Sequence, residues 1–493
     1  MPLFDLLVFI VFTLGTVLFG GSFVRKNKNA ADYTSGSGSM PGFVVGMSVF
    51  ATYVSSISFL ALPGNAYAGN WNSLVFSFTI PLAAIVAARF FVPFYRTIES
   101  VSAYSFLETR FGYWARAYAA ICYLLTQVAR IGSVMFLMAL PLHTLLGWSV
   151  SGIILFTGIA VILYSMMGGI KAVIWTDAIQ GTILIIGALA CAIILLVEIP
   201  GGITELIEKG RAAGKFSLGS FGAELHTSTF WVMILYGTFI NLQNFGIDQN
   251  YIQRYKSAKD LKSARFSALF GGLLYLPVSF LFFIIGTALF VFYQSTPLPP
   301  DIASDQVFPY FIVKVLPDGA TGLLIAAIFA AGMSTVSTSI NSSATVIFTD
   351  FITRKHEKAA SDTAITPRGR MTEAKQLKIL RIASLLTGLA GVGVALAMMS
   401  VKSALDAWWS LAGIFSGGML GLFLLGYLSR KVRSWQAMVG VTVGVLLIGW
   451  MSLSGQTLLH SYLTTVLGTT IIVVVGLVLF RLTVKNPAAD FLK

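Results

Sequence analysis

The sequence predicts an all-α polytopic membrane protein with thirteen transmembrane helices, and three observations carry that prediction. Hydrophobic residues make up 56% of the 493 positions, and Asp, Glu, Lys and Arg only 11%. The mean hydropathy is +0.82. A soluble domain carries roughly 25% charged residues, so this chain lacks the charge to coat a globular surface in water. The second observation is a series of apolar stretches near the roughly 20 residues that a helix needs to cross hydrocarbon. The third is that the basic residues sort almost entirely to one side of those stretches.

The stretches run 4–24, 42–67, 73–95, 117–146, 151–168, 172–198, 228–250, 266–293, 319–349, 378–400, 405–429, 435–453 and 460–482. The first has no basic residue before it and Arg25, Lys26 and Lys28 just after it. It therefore reads as a retained span with an outside N-terminus, not a cleaved leader. Thirteen crossings then put the C-terminus in the cytoplasm. On this threading all but six of the 33 Lys and Arg fall on the inner side, as the positive-inside rule requires. The six are Lys209, Arg211, Lys215, Lys314 and Lys402 outside and Arg130 in mid-membrane. One helix more or fewer would invert every later loop and destroy the split. The net charge of +13 is thus a topology signal, and a nucleic-acid partner is not needed to explain it. Cys122 and Cys191 sit in apolar runs toward opposite faces, too far apart for a bridge. His143, His226, His356 and His460 lack metal-ligand spacing.

The spans fall into units: residues 1–40 for an extra helix and inner loop, 41–199, an outer loop at 200–227, 228–430, and 431–493 for two further helices and an inner tail. The two large units hold five crossings each. Five is odd, so the second unit is inverted relative to the first. The third member of each is long, 117–146 and 319–349, and the first member of each is interrupted by polar residues. Paired interrupted helices in inverted repeats point to a transporter's binding site.

The first interrupted span carries Thr52, Ser55 and Ser56 on one face, with Ser58 beyond. Unwound backbone at membrane depth must line protein or a polar cavity, and its free carbonyls suit an alkali cation. The alternative is that these hydroxyls bond back to their own helix. The second interrupted span offers Asn241, Gln243 and Asn244, with Asp248 to Asn250 read as solvated near the inner surface. In 319–349, Ala327 and Ala331 precede Ser334, Ser337, Thr338, Asn341, Ser342 and Thr345, at offsets 0, 3, 4, 7, 8 and 11. That is one helical stripe. It serves either close helix packing or a sodium shell. Asp177 lies two turns into its span, where a carboxylate is a functional suspect, unless it reaches inner water. Arg130 lies near the midplane of the long span 117–146. Its planar fork fits a substrate carboxylate or several sugar hydroxyls, or else it pairs with carbonyls or Asp177.

Phe50–Phe59, the run from Gly168 through Trp175-Thr176-Asp177 to Gly181, and Ala326 to Ala331 before the stripe resemble the sodium/solute symporter family. Thirteen spans and Arg130 look most like its bacterial sialic acid branch. The resemblance implies a LeuT-type five-plus-five inverted repeat with extra terminal helices. It implies a common sodium site of main-chain oxygens from Ala51, Val54 and Ala331 with the Ser334 and Thr335 hydroxyls. A second sodium would take Ser334, Ser337, Thr338 and Asp177. A substrate carboxylate would meet Arg130 and the Ser55, Ser56 and Ser58 region, with Asn241 and Ser77 beside it. The pocket departs from that branch: Tyr53 and Ser58 stand where Thr is expected, and Ser77 where Gln is expected.

The resulting expectation is a sodium-driven importer in a bacterial inner membrane, not an enzyme. It would take one or two Na+ and a small organic solute, sialic acid first, with no nucleic acid and no obligate protein partner. A symporter for a neutral sugar or another carboxylate is the alternative within transport, and a solute sensor the alternative outside it. A channel would need a filter motif contributed by several chains, and none is seen.

Overall fold

The computed structural model describes residues 3–299, 302, 304, 306–317, 319–355, 371–400, 417–455 and 458–484. The regular structure among these residues is helical, apart from one isolated parallel bridge between Met40 and Ala258. In chain order the helices are α1 (Leu3–Ser22), α2 (Ala30–Ser35), α3 (Gly42–Tyr53), α4 (Ser56–Ala68), α5 (Leu74–Val86), α6 (Val92–Thr97), α7 (Ser105–Phe111) and α8 (Tyr113–Leu146). They continue with α9 (Val150–Glu198), α10 (Gly202–Ala212), α11 (Phe230–Ile247), α12 (Gln249–Ser257), α13 (Leu261–Ser295), α14 (Val307–Lys314) and α15 (Ala320–Val346). Glu373–Met398, Met419–Leu428, Ser434–Leu453 and Leu463–Val484 complete them.

Nine described helices are long and apolar enough to cross a membrane, and the bent pair α3 and α4 makes a tenth. The 49-residue α9 covers two of the expected spans. It breaks at Gly169, whose φ of 56° and ψ of −161° are not helical. Only glycine suits that turn, because a Cβ would sit 3.0 Å from the Tyr33 main chain and ring. The expected span 228–250 appears as the shorter α11 followed by α12. Of the expected span 405–429, residues 405–416 lie outside the described residues, as do 356–370 of the long inner loop. The count of thirteen therefore remains an expectation, whereas the all-helical membrane fold is what the chain forms.

Burial ranks the helices. α1 lies at the edge, with 28% of its apolar window buried, and α15 lies at the centre, with 94% buried. A helix apolar or small on every side belongs inside a bundle, and α15 is built mainly of Ala, Gly, Ser, Thr and Ile. Its N-terminus has no side-chain cap of its own. Asp5 of α1 supplies one from 314 positions away, its Oδ1 accepting the Gly319 amide at 2.7 Å and the Gly322 amide at 2.8 Å. Free amides and the helix dipole both favour a carboxylate there. Asp5→Ala is expected to cost about 1 kcal/mol, read as a lower Tm of the purified protein. An unchanged Tm would show that α1 does not hold α15 in this way.

Candidate functional site

The site begins where α3 stops. Val54 (φ −77°, ψ 113°) and Ser55 (φ −105°, ψ 170°) are extended. Val is stiff at its branched Cβ, and Ser55 offers the chain another partner: its Oγ accepts the Ser58 amide at 3.3 Å and caps α4. α3 and α4 meet at 51°. With the helix interrupted, carbonyls at the end of α3 lose their usual amide donors. Two of them are taken by side chains from other helices. Ala51 O accepts Ser334 Oγ of α15 at 3.1 Å, and Thr52 O accepts Arg130 Nη2 of α8 at 3.0 Å.

The first of those contacts draws the common-site residues together. Ser334 Oγ also donates to Ala331 O at 3.1 Å, and Thr335 Oγ1 donates to the same carbonyl at 3.1 Å. Ala51, Val54, Ala331, Ser334 and Thr335 are all buried. Four are thus joined by hydrogen bonds at one junction, and the fifth, Val54, is the unwound residue itself. The donor set is neutral oxygen in a closed place. Hydroxyl protons rotate aside to leave lone pairs facing a hard cation.

The second contact places Arg130 at the foot of α3, beside the N-terminus of α4. No ion pair to Arg130 occurs among the described residues, so a constitutive partnership with Asp177 is not what holds it. Ser56, in the first turn of α4, is buried and its hydroxyl has no hydrogen-bond partner among the described residues. A guanidinium, a helix N-terminus and an unpaired hydroxyl all favour an anion. In the second interrupted span α11 breaks at one residue, Asp248 (φ −75°, ψ 128°), whose side chain caps α12. Asn241 is buried on α11 and its Nδ2 donates to Thr79 Oγ1 at 2.8 Å and Phe76 O at 3.3 Å. Its Oδ1 accepts the Tyr53 hydroxyl, which ties the two interrupted spans together. The Tyr53 ring packs edge-on to Tyr275 at 4.6 Å and lies near Phe245 and Tyr251. Ser58 Oγ lies 3.5 Å from Ser55 Oγ.

The structure places some of these residues differently from the sequence reading. Ser77 faces α13, bonded to Ser279 Oγ at 2.8 Å; the α5 residue that meets Asn241 is Thr79. Gln249 and Asn250 are wholly buried, not solvated at the inner surface. Asn250 Oδ1 accepts from Tyr123 at 3.0 Å and also from Ser342. Sequence reasoning also missed Tyr53 as a bridge and placed Arg254 among the inner loop cations. Arg254 is 0% exposed and pairs with Asp177 at 2.6 Å. Asp177, with the same exposure, therefore does not reach inner water. The available signal was that a deep carboxylate requires a cation at its own depth.

Around the same end of the molecule Glu108 links Arg116 (2.8 Å) and Arg354 (2.7 Å), and Arg116 links Asp350 (2.6 Å). Burial pushes the Glu108 carboxyl up, but its bonds from the two arginines outweigh that and hold it below its ordinary value. Asp32 pairs with Lys171 at 2.7 Å in a second such contact.

Residues 33–444 match the Sodium:solute symporter family. The Sodium/sialic acid symporter NanT of Aliivibrio fischeri is 32% identical over 469 residues, 94% of this chain and 90% of that protein. The Sodium/sialic acid symporter SiaT of Proteus mirabilis is 33% identical, covering 88% and 86%. The human Sodium-coupled monocarboxylate transporter 1 is 29% identical, covering 87% and 69%. Among solved structures, a substrate-bound outward-open Na+-coupled sialic acid symporter superposes with a TM-score of 0.90 at 29% identity, over 98% of each chain.

Proposed function

This chain belongs to the sodium:solute symporter family, and from that premise we propose that it imports a small carboxylate, sialic acid foremost, across a bacterial inner membrane. It is a sodium-coupled multi-pass transporter and not an enzyme. The observation that carries the proposal is the Ser334 to Ala51 contact, which sets a hydroxyl-bearing helix against freed carbonyls beside Arg130. A sodium ion at Ala51, Val54, Ala331, Ser334 and Thr335 would fix the angle between α3 and α4. That angle sets where Ser55, Ser56 and Ser58 stand relative to Arg130, so the ion prepares the substrate's seat. Coupling follows because each ligand stabilises the arrangement that the other needs. One charge moving inward through 100 mV contributes about 2.3 kcal/mol to accumulation. The two repeats then rock about the site, with the N-terminus outside and the C-terminus in the cytoplasm.

A second substrate reading, a smaller carboxylate, is favoured by Tyr53. Its ring and its bond to Asn241 occupy space between the interrupted spans. The test is uptake into proteoliposomes of N-acetylneuraminate, pyruvate, lactate and glucose, with an inward gradient of sodium or of choline. Accumulation of a carboxylate only with sodium is the expected result. Equal accumulation in choline would end the sodium-coupled reading, and glucose alone would end the carboxylate reading.

A further inference from the structure

Asp177 is a buried carboxylate whose needs are already met on one side. Its Oδ2 accepts Ser48 Oγ at 2.6 Å and Arg254 Nη2 at 2.6 Å. The same guanidinium donates from Nη2 to Thr338 Oγ1 at 2.6 Å, from Nε to Ser48 Oγ at 2.7 Å, and from Nη1 to Asn250 O at 2.7 Å. All three nitrogens are engaged and the side chain is fully buried. One arginine of α12 thereby ties α3, α9 and α15 to the inner half of the second interrupted span.

The resemblance reserves this place for a second sodium held by Asp177, Ser334, Ser337 and Thr338. In the structure Asp177 and Thr338 hold the guanidinium, Ser334 is turned to Ala51, and Ser337 Oγ donates to Ser334 O at 3.1 Å. A sodium ion added beside Arg254 would leave two cations sharing one carboxylate at a place where both side chains are fully buried, and excess charge is costly there. The other carboxylate oxygen, Asp177 Oδ1, is buried with no hydrogen-bond partner among the described residues, and Gln180 is buried one turn further along α9. Oxygen donors for a small cation are therefore at hand once the guanidinium's charge is removed.

We infer that the Arg254 side chain is the resident cation of this second site, so that the chain binds one sodium ion where the resemblance implies two. The inference rests on the sodium-coupled reading. It makes Arg254 a positioning residue, a tethered charge that closes the inner half of the molecule without having to be gathered from solution.

Titrating the purified protein with radiolabelled sodium in detergent counts ions per chain and needs no known substrate. Wild type is expected to bind one ion with a Hill coefficient near one. Arg254→Met keeps most of the stem and removes the charge; it is expected to bind a second ion and raise the Hill coefficient. Arg254→Lys should stay at one, and Arg254→Met combined with Asp177→Asn should return to one. Two ions in wild type would overturn the inference without any variant having to fold. One ion in both wild type and Arg254→Met would also overturn it. No saturable sodium in wild type would sink the sodium-coupled reading itself, so the two failures are distinct.

Discussion

Arg130→Ala is expected to reduce uptake of an acidic solute toward background, a loss of roughly 30-fold or more. Truncating one partner of a desolvated charge pair costs about 2–5 kcal/mol, and each 1.4 kcal/mol is tenfold. Arg130 is only partly buried, so the low end of that range applies. The variant should fold, because the described hydrogen bond of this side chain is the one to Thr52 O and nothing is left as an unpaired buried charge. Arg130→Lys should recover little, since an ammonium keeps the charge but loses the planar fork. Radiolabelled uptake in proteoliposomes, compared with sodium binding to the same purified variants, separates the roles. Lost uptake with retained sodium binding assigns Arg130 to the substrate, whereas undiminished uptake of a carboxylate would remove it from the pocket.

Much of this arrangement was legible because it is written in short-range patterns. A helix that must break announces itself: Val54 and Ser55 are a branched residue and a capping residue, and the cap acts three positions on. The stripe on α15 has helical spacing, and each of its hydroxyl residues is buried. Hydroxyl direction is a different matter. Ser337, Ser342 and Thr345 all donate to their own helix's carbonyls, whereas Ser334 also reaches Ala51 O on α3. What could not be read was pairing over distance. Arg254 lies 77 positions from Asp177 and 84 from Thr338. Nothing in its own segment tells a short helix after a break from a basic inner loop. The direction of Ser77 was illegible for a smaller reason. Successive helical residues turn by about 100°, so Phe76 O and Thr79 can face α11 while Ser77 faces α13.

The second large effect is on the ion. Ser334→Ala removes one oxygen from the junction of α3 and α15 and leaves the Ala51 carbonyl without its donor. Thr335→Ala removes the neighbouring hydroxyl. Each change is small in volume at a position lined by small residues, so the bundle should still close. The loss should fall on sodium. Removing one partner at a buried polar junction costs about 1–3 kcal/mol, which raises the sodium concentration for half-maximal uptake by roughly 5- to 150-fold. Thr335→Ser keeps the oxygen and should stay near wild type. If the ion orders α3 against α4, the apparent affinity for substrate must weaken at low sodium in the Ala variants and recover at high sodium, because linkage between two ligands is reciprocal. A site that merely packed two helices would behave otherwise. Its loss would lower Tm and maximal uptake together, with the half-saturating sodium concentration unmoved.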